Sequence, residues 1–315
     1  MQVTVPSFAK LNLDLRVLDK RSDGYHELRT IFQTISLKDT LGIEFDFANR
    51  TQIDLSSSLE IDDNIVVRAA RAILEYLNVK ASVRFELKKR IPLGAGLGGG
   101  SSNAATVLMA LPALTGKRVA LLDLLRLAES QGSDVPFFLY GGTALGCGRG
   151  SELYPLPEQP PRAALVVSGG IHVSTAEAYR ALKRNVTGAL TSPAESPILR
   201  EFQTIAWALN GSSLEQLPLK NDFEGPVFEM HRELAGVARK LRRLGARPAL
   251  LTGSGSAVFG VFEDTQAAEK AAAQFPGDRA RIVRFVTRRQ YRQAWRRALG
   301  SAVEWSCFAH SYSRT

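Results

Sequence analysis

The stretch IPLGAGLGGGSSNAATVL, residues 91–108, sets five glycines among the seven positions 94–100 and then runs into a helix-forming segment. Backbone that bare exposes successive amides. At the start of a helix, where the peptide dipoles leave partial positive charge, such amides converge on phosphate oxygens. A turn built only for close packing would use one or two glycines, which does not account for Gly98, Gly99 and Gly100 followed by Ser101 and Ser102. Upstream, ASVRFEL (81–87) alternates as a strand; downstream, ATVLMAL (105–111) is helical, so the context is strand, glycine loop, helix. Two common phosphate loops fit poorly. Gly94, Gly96 and Gly99 match GxGxxG, but the charged KKR and Pro92 separate them from the strand, and residues 114–118 hold no carboxylate where a dinucleotide fold expects one. No Lys follows the loop, which excludes a Walker A motif.

Outward from the loop, strands and helices alternate. In SFAKLNLDLRVL, Ala9, Leu11, Leu13, Leu15 and Val17 alternate with Lys10, Asn12, Asp14 and Arg16, the period of a half-buried strand with a polar outer face. An Asp23-Gly24 turn and a second alternating run, TLGIEFDF (40–47), follow. The IDDN signal predicts a cap for a helix over 66–77, and ALLDLLRLAES a helix ending near Gly132. YPLPEQPPR (154–162), with four prolines, marks a boundary. Beyond it come a strand at ALVVS, a helix opened by a Ser174/Glu177 capping box, helices over 198–210 and 226–244, and two strand-like runs joined by the Gly-Ser loop of PALLTGSGSAVFGVF. A helix over 267–275 and the strand RIVRFV complete an α/β (α+β) chain. Its expected units are 1–158, 159–287 and a basic extension, 288–315.

With 315 residues the chain has the length of about two domains and buries a large core without cross-links. Cys147 and Cys307 are too few for a disulfide framework or a cysteine zinc site, and His172, His231 and His310 show no metal-ligand pattern. No apolar run approaches the ~20 residues of a membrane span, and the polar, alternating N-terminus does not read as a leader, so a cytoplasmic protein is expected. Of the net charge of +9, +6 falls from Arg284 onward. RRQYRQAWRRAL (288–299) reads as a basic amphipathic helix that packs Tyr291, Trp295 and Leu299 on the body, with neither nucleic acid nor membrane as its expected partner.

The run Pro-x-Gly-x-Gly-Leu-Gly-Gly-Gly-Ser-Ser-Asn resembles the phosphate loop of the GHMP kinases, which bind ATP without a Walker A motif. Two further landmarks of that family stand in order, a Pro-x-x-x-Lys-x-Asn strand at Pro6–Asn12 and a Gly-Ser loop at Thr252–Ala257. AKLNLDLRVLDKRSDGYHEL, GSDVPFF and NDFE are similar to the branch that phosphorylates the 2-hydroxyl of a CDP-linked methylerythritol in non-mevalonate isoprenoid synthesis. The resemblance covers about residues 6–287 and implies a two-domain fold with the active site in the cleft between the domains.

It also implies roles. Asp134 is the expected catalytic carboxylate and Lys10 its partner. Taken alone, these would read as a helix N-cap and an exposed strand residue. The loop, Pro92, Leu93, Gly94, Ala95, Gly96, Leu97, Gly98, Gly99, Gly100, Ser101 and Ser102, is expected to bind ATP with Mg²⁺ bridging the β- and γ-phosphates. Asn64, Lys89 and Asn103 lie near the ATP base and phosphates by the same resemblance. For the acceptor it implies Asn12, Tyr25 and His26, with Tyr179, Gly253 and Ser254 from the second domain. A homodimer fits the same reading. The alternatives are a homoserine or mevalonate type of GHMP kinase, which has no reason for the Gly-Tyr-His hairpin, and a non-catalytic nucleotide- or RNA-binding module on the same scaffold. A serine hydrolase lacks its GxSxG elbow.

Overall fold

The computed structural model describes residues 1–59, 63–168, 170–182, 197–209 and 213–300. Two long strands organise the first half. β1 (Gln2–Lys20) and β2 (His26–Phe47) form an antiparallel hairpin closed by the Asp23-Gly24 turn, with Gly24 at φ +85°. The other edge of β2 is shared: its C-terminal half pairs with β4 (Ala81–Lys88) and its N-terminal half with β5 (Thr143–Gly148). β3 (Gln52–Ser57) adds parallel to β4, and β6 (Glu152–Pro155) antiparallel to β5.

Helices cover this sheet because their apolar residues recur on one face. α1 (Ile65–Tyr76) buries Val66, Ala69, Ala70, Ile73 and Leu74, and the Asn64 side chain caps it by accepting the Val66 amide at 3.0 Å. α2 (Gly99–Thr115) is apolar nearly all round, and Ser102 to Leu111 are buried. α3 (Leu121–Gln131) and the short α4 (Val135–Tyr140) complete the layer.

The proline-rich segment leads to a second sheet in the order β10–β7–β9–β8, formed by β7 (Ala163–Val167), β8 (Ala249–Leu251), β9 (Val258–Phe262) and β10 (Ala280–Arg284). α5 (Thr175–Ala181), α6 (Pro197–Ala208), α7 (Glu224–Met230), α8 (Arg232–Arg243) and α9 (Thr265–Ala272) accompany it. An apolar cluster including Leu11, Ile31, Leu97, Phe259 and Phe285 joins the two halves. The basic segment forms α10 (Arg288–Leu299), opened by a Thr287/Gln290 capping box, and its buried Tyr291, Trp295 and Leu299 belong to the core of the first sheet.

Three differences from the sequence reading stand out. The polar row of β1 is not an outer face: Lys10, Asn12, Asp14 and Arg16 are each 0–2% exposed. Alternation separates two faces but does not say what covers each: Lys10 is shut in by Asp134 and Phe32 of the first half, and Asn12, Asp14 and Arg16 by Thr252, Lys220 and Glu201 of the second. The helix expected over 226–244 is broken at His231, whose backbone (φ −131°, ψ 78°) leaves the helical region. β3, β5 and β6 carry no signal read from the sequence. Cys307, His310, Asn210 and the chain beyond Gly300 lie outside the described residues.

Candidate active site

Lys10 and Asn12, from the polar row of β1, line a cavity of about 920 Å³. The Lys10 ammonium donates to Asn12 Oδ1 at 2.6 Å and lies 3.3 Å from the Asp134 carboxylate. Asp134 stands at the N-cap of α4, but its side chain makes no capping bond, so the carboxylate, one-third exposed, faces Lys10 and the cavity. Lys10 itself is buried against the Phe32 ring.

The glycine loop lies beside this pair. Gly94, Gly96 and Gly98 have φ of +61°, +75° and +70°, a region open to glycine. Several loop carbonyls are tied inward: Leu97 O accepts the Lys10 amide at 3.0 Å and Ala95 O accepts the Ala257 amide at 3.1 Å. The first-turn amides of α2 have no side-chain cap among the described residues. Gly96 answers a second demand. A Cβ there would come within 2.1 Å of the Thr252 carbonyl, and one at Gly253 within 3.1 Å of Gly96 Cα. The glycine loop and the Gly-Ser loop thus pack backbone to backbone, and part of the glycine content serves that contact.

Asn12 lines the cavity, yet its amide is taken up by the protein: Oδ1 accepts from Lys10 and from the Gly253 amide at 2.8 Å, and Nδ2 donates to Thr30 Oγ1 at 2.8 Å. Asn221 holds the same loop, donating from Nδ2 to Leu251 O and Gly253 O, each at 2.8 Å. Ser254 is bonded to Thr175 across 2.9 Å. Below, Arg16 forks onto Asp14 at 2.8 and 3.1 Å and reaches Glu201 at 2.9 Å. Burial pushes the Asp14 carboxyl up to about 6, against the opposing pull of Arg16.

Lys89 and Asn103 sit behind the loop. Lys89 is buried in an ion pair with Asp39 and donates to Asn103 Oδ1 at 3.0 Å. Asp39 also accepts the Arg90 and Ile91 amides at 2.7 and 2.8 Å and Asn103 Nδ2 at 3.1 Å. Asn64 stands apart from the cavity as the α1 cap, its Nδ2 buried without a partner. Pro92 and Lys89 line a second cavity, of about 1030 Å³, on the other flank of the loop with Leu59, Lys38 and Arg90; Leu93 is exposed nearby.

At the far end of the first cavity, the His26 ring stacks on Tyr179, with centroids 5.1 Å apart and planes 23° from parallel. Burial, and then the Asp134 charge, push the Tyr179 phenol up to about 12, so it stays protonated. Tyr25 lies at the hairpin tip under the Arg149 guanidinium. Its amide, more than Arg149 and Arg21, holds the Asp23 carboxyl below the usual range against the opposing effect of desolvation.

Asp39, Asn221 and Arg149 were not singled out in the sequence. Asp39 had a signal, since it shares the parity of the apolar Leu37, Leu41 and Ile43, where a charge demands a buried partner. Asn221 lay within the quoted NDFE stretch.

The model of the GHMP kinases N terminal domain matches residues 64–142, and that of the GHMP kinases C terminal matches 198–279. A 4-diphosphocytidyl-2-C-methyl-D-erythritol kinase of Solibacter usitatus is 50% identical over 293 residues, 93% of this chain and 92% of that protein. The chain belongs to the GHMP kinases, among the 4-diphosphocytidyl-2-C-methyl-D-erythritol kinases. A kinase of that name from Thermus thermophilus is 41% identical over 84% of this chain and 89% of its own. A crystal structure of a 4-(cytidine 5'-diphospho)-2C-methyl-D-erythritol kinase superposes with a TM-score of 0.74 at 39% identity, covering 90% of this chain and 98% of that one. A homoserine kinase from Cytophaga hutchinsonii, 18% identical with a TM-score of 0.70 and covering 91% and 95%, shares the GHMP kinase fold.

Proposed function

We propose that the protein transfers the γ-phosphoryl group of ATP to the 2-hydroxyl of 4-diphosphocytidyl-2-C-methyl-D-erythritol. The observation that carries this reading is the Lys10–Asp134 pair, set 3.3 Å apart between the glycine loop and the His26–Tyr179 end of one cavity. The names of the relatives at 50% and 41% identity support the same acceptor. The likeness to homoserine and mevalonate kinases is confined to the fold, at 18% and 16% identity.

On this reading the β- and γ-phosphates of ATP lie on the α2 amides, with the sugar and base toward Leu59, Lys89 and Pro92. The acceptor occupies the first cavity. Asp134 orients its hydroxyl in line with the γ-phosphorus and takes the proton as the P–O bond forms and ADP leaves, a contribution of about 10²–10⁴ in rate. Lys10 pairs with the carboxylate and meets the negative charge that develops on the transferred group. Its ammonium is held in place by Asn12. Asp134 and the hydroxyls of Ser101 and Ser102 in the first turn of α2, that of Ser102 buried without a hydrogen-bond partner among the described residues, are oxygen donors of the kind a hard cation prefers, so the residues present fit Mg²⁺. When bound, Mg²⁺ would neutralise the β- and γ-oxygens.

The cytosine goes to the hairpin tip. Two rings that sandwich a base must stand ~7 Å apart, twice an ordinary van der Waals contact. His26 and Tyr179, at 5.1 Å, are too close for that and part or slide when the base enters. Among the described residues no helix is long and apolar enough to cross a membrane, and the reaction is assigned to the cytoplasm, where ATP is at hand.

The test is ADP release by purified protein with Mg-ATP and the CDP-linked acceptor, beside homoserine and mevalonate, with D134N as control. Turnover with the CDP-linked acceptor alone, reduced about 10³-fold in D134N, is expected. No turnover with any acceptor, from folded protein that binds ATP, would sink the reading.

A further inference from the structure

We propose that Arg149 is a positioning residue for acceptor recognition: it fixes the ring of Tyr25 as one wall of the base pocket. The inference deepens the function proposed above and rests on it.

Arg149 lies in the turn between β5 and β6, more than a hundred residues from the hairpin it touches. Its guanidinium carbon sits 3.8 Å from the Tyr25 ring centroid. The same group donates to Asp23 Oδ2 from Nη2 at 3.0 Å and from Nε at 3.3 Å. Asp23 Oδ1 in turn accepts the Tyr25 amide at 3.0 Å. The contacts close a circuit in which Asp23 sets the backbone of Tyr25, Asp23 aims Arg149, and Arg149 covers one face of the ring.

Without this cover Tyr25 would be an unsupported side chain at a hairpin tip, 54% exposed, with no other aromatic or cationic ring contact among the described residues. Tyr25 and Arg149 both line the cavity that holds His26 and Tyr179. With one face under the guanidinium, a pyrimidine takes the other, and the ring is already oriented when it arrives. Ordering one free side chain on binding weakens affinity by up to about tenfold, the effect that pre-orientation removes. The planar guanidinium is needed for this, because a lysine ammonium neither stacks flat on a ring nor forks onto a carboxylate.

The experiment is a double-mutant cycle on the full chain with R149A, Y25L and the pair, plus R149K, read by steady-state kinetics and by calorimetric titration with CDP. R149A should raise KM for the CDP-linked acceptor and Kd for CDP about tenfold, with kcat and KM for ATP within about twofold. In the Y25L background the effect of R149A should shrink below about twofold, and R149K should keep most of the defect. An unchanged KM and Kd in R149A overturns the proposal. An equal loss with and without Tyr25 also overturns it, because Arg149 would then touch the acceptor directly. The two readings fail separately. Turnover that ignores R149A leaves the kinase assignment standing, whereas CDP binding that depends on Arg149 without turnover of the acceptor removes the assignment alone. A wild-type protein that neither binds CDP nor turns the acceptor over removes both.

Discussion

Behind the glycine loop the Lys89–Asp39 pair is sealed, Asp39 at 0% and Lys89 at 1% exposure, whereas at the hairpin end Tyr25 is 54% exposed and Arg149 41%. The first end presents backbone, a run of glycines of which Gly96 is held against the Gly-Ser loop. The second presents rings and a guanidinium at the tips of two turns. Phosphate is the same in every kinase of this fold, and a site for it can be built once from amides and held rigid. The acceptor differs among such kinases, and side chains on turns can be exchanged without disturbing a core. Under the proposed function, donor binding falls to the sealed end and acceptor choice to the open one.

The contrast is broken most severely at Asp39. Asp39→Asn keeps an oxygen for the Arg90 and Ile91 amides but leaves Lys89 buried without its counter-charge. Losing one partner of a buried pair costs about 3–5 kcal/mol. Chemical denaturation should show that loss, together with a raised KM for ATP. A variant of unchanged stability would mean that Lys89 reaches solvent or sheds its proton, and that this end is not sealed.

The two ends were also unequally legible. The glycine loop announced itself because an anion site made of amides needs a run of glycines, and the hairpin because Asp-Gly and alternation are local signals. Lys10 and Asp134 lie 124 positions apart, and nothing local joins a strand lysine to an N-cap aspartate; only the family resemblance paired them before the structure set them 3.3 Å apart. The same distance in sequence hid the Asp39 network, spread over three elements, and the Arg149–Tyr25 stack. β5, TALGCG, carries no strand signal because glycines at alternate positions erase the periodicity that marks a strand. Burial of the β1 polar row could not be read, since it depends on partners such as Asp134, Glu201 and Lys220, encoded one to two hundred residues later.

Two glycines of the loop sharpen the comparison at lower cost. Gly96→Ala must place a Cβ against the Thr252 carbonyl at φ +75°, and about 1–3 kcal/mol of stability should be lost through strain or separation of the two loops. Gly100→Ala, in the first turn of α2 with its nearest neighbour 3.9 Å away, should leave stability within about 0.5 kcal/mol. Equal losses in the two would mean that the loop's glycines serve phosphate access alone and not the contact with the second sheet.

The smallest effect on stability is expected at the open end. Tyr179 packs edge-on against Phe223 at 4.9 Å and stacks on His26, but it is only half-buried, and leucine fills much of the same space. Tyr179→Leu should leave the thermal midpoint nearly unchanged while KM for the CDP-linked acceptor rises about tenfold, or about 1.4 kcal/mol, within the range of one base–aromatic stack. KM for ATP should not move, because no phosphate-loop residue depends on this ring. A large fall in the midpoint with an unaltered acceptor KM would place Tyr179 in the core of the second half, leaving recognition to the hairpin alone.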